Sequence, residues 1–363
     1  MKVVNILKDC QIHVGGTLSE ELKGNSFYIM SDTASHRLSL LTEDIVGIEI
    51  PFEEVYNPYN GQDLTNRKVL ALRHGGGGDI LFMSTGIKEL KRANPSAKFG
   101  VAIGKQYEGI IQNEPEIDKV HFLPLPLDVW NEYHYHLIFE GIIENNPEAK
   151  EYNAYDLFMK QMLLDITKVD PKNKIPKITL QDEERLEVKT QFPSLNSSNK
   201  KVGIQVATST PIRTYPPYKF VDFIDSLLQK DYSVYLFGAG PQKKEINYIK
   251  ERFKEENVYE AVTSLREAIA LASYMNYIVS PDSMFIHIGA ALGIPVMGIY
   301  GPFHSGLRMK YFENSIGIDL KTGCSPCLIH GNYPCPKGDP SPCFSLITKD
   351  VLVSTFNELE NAA

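Results

Sequence analysis

No apolar run in this chain is long enough to span a bilayer. The opening residues, Met-Lys-Val-Val-Asn-Ile-Leu-Lys-Asp, become charged too soon for a secretion signal. Both absences point to the cytoplasm. Basic charge is not in excess: 37 Lys and Arg face 45 Asp and Glu, a net charge of −8 at pH 7, which argues against a nucleic-acid partner. Cysteine is scarce outside one place. Cys10 stands alone, and Cys324, Cys327, Cys335 and Cys343 fall within 20 residues of each other. The glycine-rich stretch lacks the Gly-Lys-Ser/Thr of a Walker loop and the spaced G-x-G-x-x-G of dinucleotide folds. What remains is an ordinary globular composition, 43% hydrophobic and 23% charged, over 363 residues, enough for two domains and an appendage.

The most informative stretch is Arg73-His-Gly-Gly-Gly-Gly-Asp79, placed between the apolar runs Lys68–Leu72 and Ile80-Leu-Phe-Met. A strand that ends in four glycines, followed by an acid and a helical pattern, allows a ligand close to the backbone at a helix N-terminus. Gly77 and Gly78 clear the space, and Asp79 points a carboxylate into it. A tight turn with Asp79 as a capping acid is the plainer alternative.

Residues 1–65 read as a β-rich extension, with candidate strands at 11–14, 26–30 and 45–50. The bland reading is a small appended domain that docks on the body or binds a partner. From Lys68 strands and helices alternate, with strands at 68–74, 98–103, 119–124 and 136–141, and a helix over 80–93 stopped by Asn94-Pro95. Residues 150–168 read as further helix. The polar, turn-rich stretch 193–200 reads as a linker. A second series follows, with strands at 201–207, 232–237, 277–280 and 295–300, helices near 217–229, 241–253, 265–275 and 284–292, and a terminal helix over 348–359. The expectation is an α/β protein of two Rossmann-like domains, 66–195 and 196–363, that face a cleft, with ligands at the carboxyl ends of the strands.

Three motifs of the second half carry candidate chemistry. At Ser280-Pro-Asp282-Ser283 a strand gives way to a helix whose first backbone N–H groups favour an anion such as a diphosphate. His287 lies one helical turn on. Ser283 as a plain N-cap and His287 as a core histidine are the alternatives. Thr208-Ser-Thr-Pro-Ile-Arg213 follows the first strand, and hydroxyls with an arginine suit phosphate oxygens; a solvated loop is the alternative. Cys324-Ser-Pro-Cys327, Cys335 and Cys343 match four-thiolate spacing and predict a finger over 323–344 that holds a structural zinc or iron. Two disulfides or four free thiols are the alternatives.

With these motifs in place, the chain resembles glycosyltransferase family 9, the heptosyltransferases of lipopolysaccharide assembly, from about Lys68 to the C-terminus. The likeness rests on Arg73–Asp79, Asn94-Pro-Ser-Ala-Lys98, Asn113-Glu-Pro-Glu-Ile-Asp118, Tyr135-His-Leu-Ile-Phe-Glu140-Gly, Arg213-Thr-Tyr-Pro216, Phe237-Gly-Ala-Gly240 and Asp282–Gly301. It implies the GT-B fold, with Asp79 as general base, Arg213 where the family usually has a lysine near the donor phosphates, and Asp282, Ser283 and His287 at the nucleotide sugar. The family has a glycine after Asp-Ser/Thr, and Met284 occupies that position here. The N-terminal extension and the cysteines also resemble the autotransporter heptosyltransferases, which modify adhesin serines and carry a four-cysteine iron finger.

The resemblance implies an inverting transfer of heptose from ADP-heptose to a hydroxyl of a lipopolysaccharide sugar or a protein Ser/Thr, with no catalytic metal. Residues 1–65 and the finger offer surfaces for a homo-oligomer. The alternatives are a non-catalytic nucleotide-sugar-binding or assembly protein, a transferase with another donor or an acceptor such as modified DNA, and a nucleotide-sugar epimerase.

Overall fold

A computed structural model describes the chain except residues 16–17, 42–44, 255–256, 321, 328–334, 339 and 363. The chain divides into two compact units. Unit one holds Met1–Ile142 and Tyr155–Asp170; unit two holds Ile143–Ala154 and Pro171–Ala363. The stretch 193–200, read from sequence as a linker, lies inside unit two and contains a short 3-10 turn at Pro193–Asn196.

Unit one contributes β1 (Lys2–Ile6), β2 (Cys10–Gly15), β3 (Leu18–Leu22), β4 (Ser26–Met30), β5 (Val46–Ile50), β6 (Lys68–Arg73), β7 (Lys98–Ile103), β8 (Lys119–Phe122), β9 (Leu125–Pro126) and β10 (Tyr135–Ile138). The parallel sheet runs β10-β6-β7-β8. Val69, Leu70, Ala71 and Leu72 are fully buried in its inner strand β6. A strand covered on both faces reads as a continuous apolar run, and this one does. The helix Gly77–Ala93 follows and buries Ile80, Leu81, Phe82, Ile87 and Leu90. It ends where the Asn94 side-chain amide donates to the Leu90 carbonyl at 3.0 Å, before Pro95.

The N-terminal strands form an antiparallel sheet of order β5-β1-β4-β9. Its fourth strand comes from the body: Tyr28 pairs with Pro126 and Ile29 with Leu125. Val3 and Ile29 share a core with Leu70, Leu72 and Trp130. The first 65 residues are thus joined to the rest of unit one by backbone pairing to β9 and by burial shared with β6. Strands β1 and β3 and the helix Asp32–Leu41 were not expected from sequence. That helix buries only Ser35 and Leu38 among its described side chains, too little apolar periodicity to read.

Unit two contributes β11 (Lys201–Gln205), β12 (Ser233–Phe237), β13 (Val258–Ala261), β14 (Tyr277–Pro281), β15 (Val296–Tyr300) and β16 (Ile316–Asp319). They form a parallel sheet of order β13-β12-β11-β14-β15-β16. The order reverses direction around β11 and β14, the strands that precede the Thr208–Arg213 and Asp282–Ser283 motifs. That reversal is where open α/β sheets bind ligands at their carboxyl edge. Its helices include Asp182–Gln191, Pro217–Leu228, Lys243–Lys250, Leu265–Ala272, Met284–Ala291 and Lys349–Ala362. The outer strands β13 and β16 are four residues each and escaped the sequence pattern. Residues 150–168 are α-helical only over Ala154–Gln161. The helix stops where Leu163 takes a left-handed backbone, φ 60°, that a helix does not continue. Among the described residues no helix is long and apolar enough to cross a membrane.

Candidate active site

In unit one the glycine turn places Asp79 through contacts that the sequence pattern did not show. Gly76 has φ 79°, a left-handed value, and a Cβ there would overlap the Asp79 carboxylate. The turn therefore needs glycine at 76 for two separate reasons. Gly77 and Gly78 open the helix Gly77–Ala93, and Asp79 sits in its first turn, where the helix dipole favours an acid. The carboxylate does not simply project into cleared space. Its Oδ2 accepts from Nη2 of Arg73, the last residue of β6.

Arg73 is the residue of this corner that the sequence reading passed over. It is 6% exposed. Its Nε donates to the Gly75 carbonyl at 2.8 Å, its Nη1 donates to the Phe139 carbonyl at 2.8 Å, and Glu140 Oε2 lies 3.5 Å from Nη1. Glu140 in turn accepts from the His74 backbone N–H at 2.7 Å and stands 3.0 Å from His74 Nδ1. Burial works to raise the Glu140 carboxyl, but the His74 hydrogen bonds and the Arg73 charge together hold it below the ordinary glutamate value. Asp79, Arg73, Glu140 and His74 form one network at the carboxyl ends of β6 and β10. The available signal was a charge at the end of an apolar strand, separated from the glycines by His74 alone.

In unit two the structure brings Thr208, Arg213 and Asp282 together. Thr208 is buried; its Oγ1 donates to the Thr210 carbonyl at 2.7 Å and accepts from the Thr210 N–H at 3.2 Å, which fixes the loop. Arg213 donates from Nε to Thr210 Oγ1 at 2.9 Å, from Nη2 to Ser209 Oγ at 3.2 Å and from Nη1 to the Asp282 carbonyl at 3.4 Å. Its Nη1 also lies 3.8 Å from Asp282 Oδ2. Asp282 is 3% exposed and meets a second cation, Arg308, whose Nε is 3.9 Å from Oδ1.

Ser283 is the N-cap of the helix Met284–Ala291, with its Oγ accepting from the Phe285 N–H at 3.2 Å and 2.9 Å from Ser280 Oγ. Met284, in the place of the family's glycine, is half-buried at the first helical position. His287 is 3% exposed, with Phe312 edge-on at 5.7 Å. Burial, then the nearby Arg308 charge, pushes its imidazole down to about 3, so the ring is neutral at physiological pH. Arg308 was missed in the sequence because Ser305-Gly-Leu-Arg-Met309 carries no motif.

The cysteines do not form the expected centre. All five are free thiols; Cys324 and Cys327 are exposed, Cys335 is half-buried and Cys343 is buried. Among the described residues no three His, Cys, Asp or Glu side chains converge on a metal position. Cys324 Sγ lies 3.6 Å from Thr322 Oγ1, and Cys343 Sγ lies 3.2 Å from Ser341 Oγ. Burial raises the Cys343 thiol above its ordinary value. The expected zinc or iron finger over 323–344 is thus not shown among the described residues. Its expected Gly-Asn-Tyr-Pro turn, 331–334, lies outside the described residues.

Residues 153–334 match Glycosyltransferase family 9 (heptosyltransferase). That is half of the chain, and the chain belongs to this family. The matched segment contains Thr208, Arg213, Asp282, Ser283, His287 and Arg308. Lipopolysaccharide heptosyltransferase 2 of Escherichia coli strain K12 is 28% identical over 154 residues, 41% of this chain and 44% of the relative, so the alignment spans less than half of that protein. Lipopolysaccharide heptosyltransferase 1 of Campylobacter coli is 22% identical over 308 residues, 70% of this chain and 90% of the relative. Among solved structures, the dodecameric iron-containing heptosyltransferase TibC of enterotoxigenic E. coli H10407, in its complex with ADP-D-beta-D-heptose, has a TM-score of 0.58 at 12% identity. It covers 99% of this chain and 91% of its own. At that identity the likeness shows the fold.

Proposed function

We propose that this chain transfers heptose from ADP-heptose to a hydroxyl, with inversion at the anomeric carbon. The observation that carries this reading is the family match over 153–334, which encloses the Thr208–Arg213 and Asp282–His287 corner at the reversal of the unit-two sheet. Unit two is the nucleotide-sugar unit in this proposal, with Thr208, Arg213, Asp282, Ser283 and His287 as its donor residues. Unit one supplies the acceptor side. Asp79, aimed by Arg73 and the Gly76 turn, takes the proton as the acceptor oxygen attacks C1. The bond from C1 to the diphosphate oxygen breaks with its electron pair, and negative charge grows on the leaving group. The Arg213 guanidinium and the backbone N–H groups at the start of the helix Met284–Ala291 meet that charge.

The acceptor class in this proposal is a hydroxyl of a lipopolysaccharide core sugar or of a protein serine or threonine. The names of the relatives support the first, and the likeness to TibC supports a heptose donor. Assembly into a homo-oligomer and a cytoplasmic location are parts of the same proposal. TibC is described as dodecameric, and the N-terminal part of this chain exposes Leu7, Leu40 and Ile48. The iron of TibC is not carried over, because the four thiols do not converge here.

A thermal-shift panel of ADP-heptose and UDP-, GDP- and CDP-sugars tests the donor assignment. A ligand that binds only the native state raises the melting temperature. ADP-heptose is expected to raise it selectively. Equal response to all four nucleotides, or a selective response to another one, would contradict ADP-heptose as donor.

A further inference from the structure

Among the described residues the side chains of Arg73, Arg266 and Arg308 are 7%, 14% and 7% exposed, and the first two have their donors answered. Arg73 donates to two carbonyls and an aspartate and pairs with a glutamate. Arg266 grips Glu184 with Nε at 2.6 Å and Nη2 at 2.7 Å, and Nη2 also donates to the Thr179 carbonyl at 2.6 Å. Arg308 differs. It is 6% exposed, yet among the described residues its hydrogen bonding consists of Nη1 donating to the neighbouring Leu307 carbonyl at 3.2 Å. Asp282 Oδ1 lies 3.9 Å from Nε, beyond hydrogen-bond reach, and the Phe303 ring lies beneath the guanidinium at 4.8 Å. A guanidinium carries five N–H donors. On the other side of the pair, Asp282 Oδ2 is buried with no hydrogen-bond partner.

A half-satisfied buried network of this kind is costly when left alone. It also has the wrong charge balance to be complete. Two guanidiniums, Arg213 and Arg308, face one carboxylate, which leaves an excess of one positive charge. The neutral His287 ring beside them adds nothing to that balance. The cluster sits after β14 and β15, beside the first turn of the helix Met284–Ala291. A multiply charged anion with several acceptor oxygens fits this place.

We propose that Arg308 is a donor-phosphate ligand, its unanswered N–H groups receiving diphosphate oxygens alongside Arg213. The proposal rests on the reading of unit two as the nucleotide-sugar unit. It adds a second guanidinium to a site for which the sequence offered one. Catalytically, the same contact would strengthen as charge develops on the leaving diphosphate.

Calorimetric titration of the full chain with ADP and, separately, with adenosine tests this without any acceptor. Arg308→Gln is expected to weaken ADP by about tenfold to a hundredfold, the loss of one or two charge-assisted hydrogen bonds, with adenosine unchanged. Arg308→Lys is expected to fall between the two, since it keeps the charge and loses the planar fork. Unchanged ADP affinity in Arg308→Gln would overturn the proposal. So would an equal loss for adenosine and ADP, the mark of a purely structural role. If Arg308→Gln does not fold, Arg308→Lys carries the same comparison, with weaker ADP and unchanged adenosine expected. Absence of ADP binding by the wild-type chain is a different result and would overturn the reading of unit two itself.

Discussion

Asp79→Ala is expected to lower glycosyl transfer by roughly 10²- to 10⁴-fold, the range in which a positioned general base contributes, while ADP affinity stays where it was. The split follows from the placement of the residues. Asp79 stands in the first turn after β6 in unit one, and the Thr208, Arg213, Asp282 and Arg308 cluster belongs to unit two. A change confined to the base should touch the chemical step and leave the nucleotide contacts alone. Asp79→Asn refines the result. The amide oxygen can still accept from Arg73, so the turn keeps its geometry and only proton uptake is lost. Steady-state kinetics beside ADP titration of both variants checks this. Wild-type turnover in Asp79→Asn would remove Asp79 from the role of base.

Arg73→Met is expected to destabilise the protein by about 3 kcal/mol, the lower part of the range for breaking a buried ion pair on one side. The lower part applies because the Glu140 side chain is 35% exposed and keeps some hydration, whereas Asp79 is 15% exposed. Methionine fills the space of the arginine stem but leaves two carboxylates facing each other and two carbonyls, Gly75 and Phe139, without their donor. The melting temperature should drop by several degrees, and transfer should fall further than the stability loss explains, because Asp79 loses the partner that aims it. Arg73→Lys should restore part of the stability and less of the activity, since an ammonium cannot fork between Asp79 and Glu140. Thermal denaturation with kinetics below the transition separates the two effects. A melting temperature within a degree of wild type would show that the network does not hold this corner.

The parts of this protein legible in its sequence are those that depend on local pattern. The strand β6 could be read because burial on both faces demands an unbroken apolar run, and the helix after it because four glycines and Asn94-Pro95 punctuate both ends. The strands β11, β12, β14 and β15 were legible for the same reason. The short outer strands β13 and β16 were not, because four residues carry too little pattern. Long-range pairing was also invisible. The union of β4 with β9 links residues 28–29 to 125–126, and no local signal marks it. The site divides in the same way. Asp79, Arg213, Asp282 and Ser283 stood in recognisable motifs, whereas Arg73 and Arg308 gain meaning only from partners 66 and 26 residues away, Phe139 and Asp282. The cysteine spacing did not by itself define a centre, because C-x2-C states how close two thiols are along the chain. It does not state where Cys343 goes, and the fold buries it beside Ser341.

The most direct test of the whole account is transfer itself. The purified chain is incubated with ADP-heptose and, in separate reactions, with deacylated lipopolysaccharide core and with serine- and threonine-containing adhesin fragments, and the acceptors are read by mass spectrometry. Addition of a heptosyl unit to one of these acceptors is expected, with ADP released in equal amount and with the anomeric configuration inverted by NMR. A retained configuration, or no ADP release and no acceptor mass change under conditions where the chain binds ADP-heptose, would contradict it.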